Sequence, residues 1–497
     1  MGEQILEDKD VSLTAGDLRG EDYKPLSEND LNEMEAAVYE LLTEVGMEVN
    51  SEKALQIFEE NGADVDRTEN RVRLSKKIIE DALDKNPSEI TLYGREEKHN
   101  LDLRENKVYF GTGGTVLNVL DLKTGQKRKI NIQDVADISR LVDYLEHIDF
   151  LVIPVYPQEC EDEDVDINRF YHSLNNTTKH VMGGMYSHSG IDEVIDMATK
   201  IAGSREALEK EPFISFITCV MSPLVMDETY TEFLIHVAEE NLPVAIPAEP
   251  LAGATGPVTI AGNIVLMAAE SIAGIVLAQM VNPGTPALFA STASALDMKQ
   301  ALYITGEIEM GLMHAGLAQL AQHFELPLYS TAGMSDAKIP DIQSGYESAM
   351  TNLLAGLAGA NFIHDAAGLL EMCQTVAYEK YVVDNEIIGM AKRAINGIEV
   401  NDETMAVDVI KRIGPGGEYL TDMHTYNHMK TEYFHPEVSD RNPREKWEEE
   451  GSKETRERAR EIAGNVLDSY QPEGVNNQMF LQLQDDFDNI ISADRRG

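Results

Sequence analysis

The residues with chemical reach in this sequence are carboxylates, one histidine and aromatic rings, gathered where short apolar runs end. His364-Asp365 closes the run Asn361-Phe-Ile-His364, Asp336 and Asp341 follow Pro327–Ser330, and Glu249 follows Pro243–Pro247. Tyr329, Phe289, Tyr346 and Met334 are spaced to line the same region. If the runs are strands, carboxylates and π faces at their C-terminal ends make a cavity suited to a small organic cation. Taken singly, an aromatic near a strand end is more often core. No Ser-His-Asp spacing, nucleophile elbow or reactive-cysteine signature occurs, so the chain shows no obvious nucleophile of its own. His424, His428 and Glu432 would share one face of a helix, and two histidines with a carboxylate can hold zinc. The pattern lacks the glutamate of HExxH and lies away from the strand ends, so a polar packing face is the preferred reading and no metal is assigned. Gly111-Thr-Gly-Gly114 has neither GxGxxG nor GK[ST] spacing and no helix opens after it, which makes it a tight turn rather than a phosphate cradle.

These residues need elements to position them. Leu326–Ser330 reads as a buried strand, Thr331–Asp336 as a small-residue turn, and a helix starts near Asp341 behind Pro340 and runs through Leu357. The strand Asn361–His364 completes a βα unit. From about residue 149 the alternation repeats. Candidate strands are Phe150–Pro154, His180–Gly183, Phe213–Met221, Pro243–Pro247, Pro286–Ala290, Pro327–Ser330 and Asn361–His364, apolar on both faces as parallel strands are. Helices are expected at Ile191–Ile201, Asp227–Glu239, Asn263–Val281 and Ile304–His323. With an eighth strand near Tyr381 the fold class is α/β, a TIM (β/α)8 barrel, and a doubly wound open sheet is the alternative. An N-terminal α+β cap over 1–145, the barrel over 146–400 and a C-terminal helical extension over 401–497 make up the domains. The cap holds a hairpin around Lys123-Thr-Gly-Gln126, and the extension a Glu/Arg-rich helix from Pro443 to Tyr470. Residues 1–26 form a polar arm.

Lys plus Arg number 41 and Asp plus Glu 87, a formal charge of −46. That excess repels phosphate backbones and anionic bilayers, so neither nucleic acid nor membrane is an expected partner. It also suits a host of high internal salt, where self-repulsion is screened. Cys160, Cys219 and Cys373 show no metal spacing and read as reduced cytosolic residues. The N-terminus is polar, without a signal peptide, and the apolar stretch Ile264–Val281 contains Glu270, so a cytoplasmic globular protein is expected.

Four ordered segments carry a resemblance. They are Gly111-Thr-Gly-Gly114 with Leu120-Asp121 and Thr124-Gly125, then Gly333–Lys338 with Asp341, Gln343 and Gly345-Tyr346-Glu347. Gly414-Pro-Gly-Gly417 with His424-Thr425, and Asp440-Arg441 with Trp447 and Gly451, complete the set. Together they resemble the trimethylamine methyltransferase family of corrinoid-dependent enzymes, over nearly the whole chain. The resemblance implies a TIM barrel that passes a methyl group from an amine to the cobalt of a corrinoid (cobalamin) carried by a separate, cognate protein. Family members that use trimethylamine carry pyrrolysine in the barrel. This chain has only standard residues, with Met334 or a neighbour in the Gly333–Asp336 loop at the corresponding place. It therefore looks like the non-pyrrolysine branch, which acts on quaternary amines such as glycine betaine. On that expectation the partner's Co(I) is the nucleophile and no residue here is covalently catalytic. Phe289, Tyr329 and Tyr346 would face the trimethylammonium, and Glu249 or Asp336 would add negative potential. Backbone N–H groups around Gly111 and Gly113, or His364, would hold a substrate carboxylate. Barrels of this kind commonly associate, so a homo-oligomer is expected. A lyase or metal-dependent hydrolase using His364 and Asp365, and a non-catalytic betaine-binding protein, are the alternatives.

Overall fold

The computed structural model describes residues 18–493; most of the N-terminal arm, residues 1–17, lies outside them. Eight short parallel strands form one sheet. They are β1 (Tyr109–Phe110), β2 (Leu151–Val152), β3 (Val181–Gly184), β4 (Ile214–Ile217), β5 (Val244–Ala248), β6 (Ala287–Ser291), β7 (Leu328–Thr331) and β8 (Phe362–His364). Each strand pairs with the next from β2 to β8, and β8 pairs with β1. An isolated parallel bridge between Gly111 and Phe150 joins the two edge strands. The sheet is thus curled until its edges meet, in the manner of a TIM barrel.

A helix follows each strand: α1 (Ile132–Tyr144), α2 (Val165–Leu174), α3 (His188–Ala202), α4 (Glu228–Glu239), α5 (Ile260–Val281), α6 (Ile308–His323), α7 (Ile342–Leu357) and α8 (Tyr378–Ile395). Their starts obey local chemistry. Ser187, Asp227 and Asp341 each accept a backbone N–H from the first helical turn, at 2.9 Å, 3.1 Å and 2.9 Å. α5 is long and apolar enough to cross a membrane by length and composition, with mean hydropathy 2.0. Here it is buried against β5, β6 and neighbouring helices.

All seven expected strands are present. The eighth is not near Tyr381, which lies in α8, but is Tyr109–Phe110, which the sequence reading places in the N-terminal cap. A boundary at residue 145 therefore leaves the whole first βα unit on the cap's side, although β1 and α1 belong to the curled sheet and its helices. The hairpin at Lys123–Gln126 does form, pairing Asn118–Leu120 with Lys127–Lys129. The expected helix from Pro443 to Tyr470 is two, Arg444–Glu449 and Thr455–Ser469, broken where Gly451 and Ser452 take positive φ.

Period-two alternation divides the core. Tyr109, Phe150, Val152, Met182, Ala245, Leu288, Ala290, Tyr329 and Phe362 point inward, joined from below by the hairpin residues Ile90, Leu92, Leu101 and Leu103. Phe289, between Leu288 and Ala290, packs instead with the helices. Inside, rings stack upward: Phe150 on Phe362 at 3.5 Å between centroids, Phe362 on Tyr329 at 5.5 Å, and Tyr329 on His364 at 4.2 Å. This ladder fills the interior and ends at the C-terminal rim.

Candidate active site

His364 tops the ladder. Its Nδ1 donates to the Ser330 carbonyl at 2.7 Å, and its Nε2 lies 2.9 Å from Asp365 Oδ2. The carbonyl can only accept, so Nδ1 is the donor there, and Nε2 faces the carboxylate. Thr331 Oγ1 donates to the same Asp365 oxygen at 2.9 Å. The other oxygen, Oδ1, is buried with no partner, and Asp365 holds φ +60°. A non-glycine residue in that region stores strain of roughly 1–3 kcal/mol, a cost that collects at functional sites. Gly113 is what lets the loop fit. A Cβ there would lie 2.1 Å from Asp365 Oδ1 and 2.6 Å from the His364 ring.

Glu249 follows β5 directly. Its side chain is exposed to solvent at the C-terminal rim of the sheet. Burial and the Asp365 charge push its carboxyl up to about 7, with His364 pulling the other way. Tyr303, half-buried in the strand Leu302–Ile304 after β6, is raised far above the phenol range by burial and by Cys373, Glu249, Asp365 and Glu307. Tyr329 responds to burial, Asp365, Cys219, Glu249 and Cys373. Tyr230, pushed up to about 12 by burial and then by Cys219, Tyr186, Asp227 and Glu249, marks the far side. Cys219 is pushed up to about 12 by burial and the Glu249 and Asp227 charges; Cys373 is raised further by burial, Asp365, Glu249 and Asp336. Both thiols are thus held away from the thiolate that a nucleophile needs.

The loop after β7 is locked from α7. Gly333 N–H donates to Thr351 Oγ1 at 2.9 Å, and its carbonyl accepts Ser348 Oγ at 2.6 Å. Glu347 Oε2 accepts Ser335 Oγ at 2.6 Å and Asp336 N–H at 3.0 Å. Gly333 has φ +79°, and a Cβ on it would strike the Ala366 backbone at 2.5 Å. Met334 is buried in this loop, its sulfur 3.1 Å from Cys373 Sγ. Asp336 Oδ1 accepts both the N–H and the hydroxyl of Thr305 at 2.9 Å, tying the loops after β6 and β7 together.

Of the residues expected from the sequence, Glu249, Tyr329, Met334, Asp336, His364 and Gly113 meet around this opening. Four do not take their expected roles. Phe289 faces the helices because Leu288 and Ala290 occupy the inward parity. Tyr346 is 57% exposed on α7, next to Glu347 rather than facing the loop. Gly111 cannot hold a carboxylate, because its N–H donates to the Ile363 carbonyl at 2.9 Å within the sheet. Tyr329 stacks on His364 and Phe362, so its ring is already engaged. Tyr303, Cys219, Tyr230 and Cys373 were missed. Cys219 alone had a signal, sitting two residues beyond β4 much as Glu249 sits one beyond β5.

The zinc alternative fails on geometry. The helix Met423–His428 ends at the second histidine, and Glu432 lies 3.5 Å from Arg393 instead. Among the described residues no group of three His, Cys, Asp or Glu side chains is arranged to hold a metal ion.

Residues 7–490 match the family described as Trimethylamine methyltransferase (MTTB). The chain is 36% identical over 458 residues to the trimethylamine methyltransferase MttB of Desulfitobacterium hafniense, covering 92% of each chain. It is 32% identical over 465 residues to a glycine betaine methyltransferase from the same species, covering 93% of this chain and 96% of that one. Against the trimethylamine methyltransferase MttB of Methanosarcina barkeri it is 33% identical over 478 residues, covering 94% and 95%.

Proposed function

The chain belongs to the trimethylamine methyltransferase (MTTB) family, and from that premise we propose that it moves a methyl group from a quaternary amine to the Co(I) of a corrinoid carried by a separate protein. We read the curled sheet as a closed (β/α)8 barrel whose seam is the Gly111–Phe150 bridge. A quaternary nitrogen already carries its positive charge. When the methyl departs as CH3+, the C–N electron pair stays on nitrogen and a neutral tertiary amine leaves. No proton has to be delivered. The partner's Co(I) supplies the pair of electrons that accepts the methyl group.

What remains for this chain is binding, orientation and exclusion of water. In this reading Glu249 ionises against the substrate cation and Tyr303 offers its ring, an arrangement worth about 1–2 kcal/mol where the cation is desolvated. Asp365, fixed by Thr331 and His364, adds a second negative charge from behind. Met334 offers only a thioether in the loop after β7, and a thioether forms no adduct that would activate a tertiary amine. A substrate with a permanent charge fits that loop better than trimethylamine. Glycine betaine, named for one relative, carries such a reacting group.

The reading is carried by the gathering of Glu249, Tyr303, Asp336 and Asp365 at the strand ends of a chain that belongs to this family. The test is an anaerobic absorbance assay with cob(I)alamin and the purified chain. Quaternary ammonium compounds are expected to consume Co(I), and trimethylamine to leave it unchanged. Demethylation without any corrinoid, abolished by a chelator, would favour a metal-dependent hydrolase. Tight binding with no Co(I) consumption would favour a binding protein.

A further inference from the structure

Three lysines are buried among the described residues, Lys179, Lys380 and Lys392, and they serve opposite ends of the sheet. Two work below. Lys179 Nζ donates to the Val142, Leu145 and Ile148 carbonyls, and Lys392 Nζ to Asp149, all in the stretch that leads into β2. Lys380 instead sits in the first turn of α8, the end of that helix nearest the loops of the candidate site, and is wholly buried. Its ammonium donates to Asp384 Oδ1, Asp384 Oδ2 and Ser348 Oγ, each at 2.7 Å. Three protons are matched by three oxygens.

Each partner of Lys380 reaches a different loop. Ser348 Oγ, on α7, donates to the Gly333 carbonyl at 2.6 Å in the loop after β7, next to Met334. Asp384 Oδ2 accepts the Gly368 N–H at 2.8 Å in the loop after β8, three residues beyond Asp365. The two loops also meet directly. Gly333 leaves no room for a Cβ beside the Ala366 backbone, and Asn352 Nδ2 of α7 donates to the Ala366 carbonyl at 3.1 Å. Gly333 and Gly368 hold φ of +79° and +95°, and a Cβ on Gly368 would strike the Tyr381 ring. One ammonium, reached through α7 and α8, thus sets the path of both loops.

Stability alone does not account for a wholly buried ion pair. Removing a lysine and an aspartate from water is costly, and an apolar pair of similar volume is often as stable or more so. What apolar side chains cannot supply is direction, since hydrogen bonds fix Ser348 and Asp384, and through them the two loops, about a single point. We propose that Lys380 is a positioning residue: its bonds to Ser348 and Asp384 hold the Met334 loop and the Asp365 loop in register, so that a bound cation presents one methyl group outward. This role rests on the methyl-transfer reading and adds to it a group that touches neither substrate nor cobalt.

The test replaces the pair as a unit. In Lys380→Met/Asp384→Leu no buried charge is left uncompensated, so the urea midpoint of the full chain should stay near that of wild type. Hydrogen exchange read by mass spectrometry is expected to quicken about tenfold in peptides covering 331–338 and 365–373, as the loops open locally. In the cob(I)alamin assay with tetramethylammonium, kcat should fall about 100-fold, while the Kd from calorimetric titration stays unchanged. Ser348→Ala releases the β7 loop alone, should quicken exchange only at 331–338, and serves as the second variant should the first fold poorly. Unchanged exchange in both loops overturns the inference, and so does quickened exchange with full kcat. A fall in kcat matched by an equal loss of affinity or of folded protein also overturns it, because a merely structural role would act that way. Wild type that binds tetramethylammonium but consumes no Co(I) removes the methyl-transfer reading; quickened exchange in both loops of the variant then still supports Lys380 as their tie.

Discussion

The two ends of the curled sheet are built on opposite terms. At the lower end the hairpin of Ile90–Leu92 and Leu101–Leu103 closes the interior with apolar side chains. His180 there has both nitrogens matched, Nδ1 with the Tyr93 carbonyl at 2.9 Å and Nε2 with Ser215 Oγ at 2.6 Å, and burial pushes it down to about 4. At the upper end Asp365 keeps a bare oxygen and a positive φ, and Glu249 is held near neutrality. One end spends its residues on stability, whereas the other retains charge and strain of the kind that collects at functional sites. The contrast predicts that damage below costs folding and damage above costs function.

Removing a rung of the ladder should have the largest effect. Phe362→Ala deletes a fully buried ring stacked on Phe150 and Tyr329 and is expected to cost about 3–5 kcal/mol in urea unfolding. An unshifted midpoint would mean that the interior does not rest on the ladder. Leu92→Ala at the plug is expected to cost about 2–5 kcal/mol, with kcat/KM of the folded enzyme unchanged.

At the upper end, Gly113→Ala forces a Cβ into Asp365 Oδ1 and the His364 ring. Methyl transfer should fall about 100-fold, the loss produced by misplacing site groups by an ångström, while the far-ultraviolet circular dichroism stays native. Tyr303→Ala should raise the KM for a quaternary ammonium about tenfold, with kcat less affected. Equal KM values would remove Tyr303 from the cation's surroundings.

Glu249 gives the comparison a pH axis. Its folded carboxyl is raised to about 7 from an ordinary value near 4.5, under the influence of Asp365 and His364 and beside Cys219, Tyr230, Tyr303, Tyr329 and Cys373. A raised carboxyl favours folding most below the unfolded value, and the benefit is lost as pH climbs through about 7. Wild type should therefore lose stability relative to Glu249→Gln between about pH 4.5 and 7. Cation affinity should move oppositely, tightening over the same rise because the ionised carboxylate is the binding form. Parallel curves for both proteins would dissociate Glu249 from either effect. The smallest effect is global: with a formal charge of −46, added KCl should raise the unfolding midpoint by screening self-repulsion. A curve flat into molar salt would argue against adaptation to a saline cell.

The seven strands from Leu151 to His364 were legible because each is a short apolar run ended by Pro, Gly or a polar residue. Tyr109–Phe110 was not, since two residues before a glycine turn look the same in a hairpin as in a sheet. Glu249, His364 and Asp365 were legible from their place at strand ends. Phe289 failed on parity: alternation says that neighbours face opposite ways, but not which of Leu288 and Phe289 turns inward. Tyr303 was hidden at the edge of an expected helix, and Cys373 reaches the opening through a left-handed run at Glu371, Met372 and Cys373 that nothing local announces.

The central claim is that this chain holds a cationic methyl donor and leaves the electron pair to a visiting cobalt. The most direct measurement follows cob(I)alamin absorbance together with the mass of the amine product, for the purified chain with choline and with tetramethylammonium. Co(I) lost in one-to-one proportion to demethylated amine, and no amine product when cobalamin is omitted, is the predicted result. Demethylated amine formed at the same rate without cobalamin would contradict it.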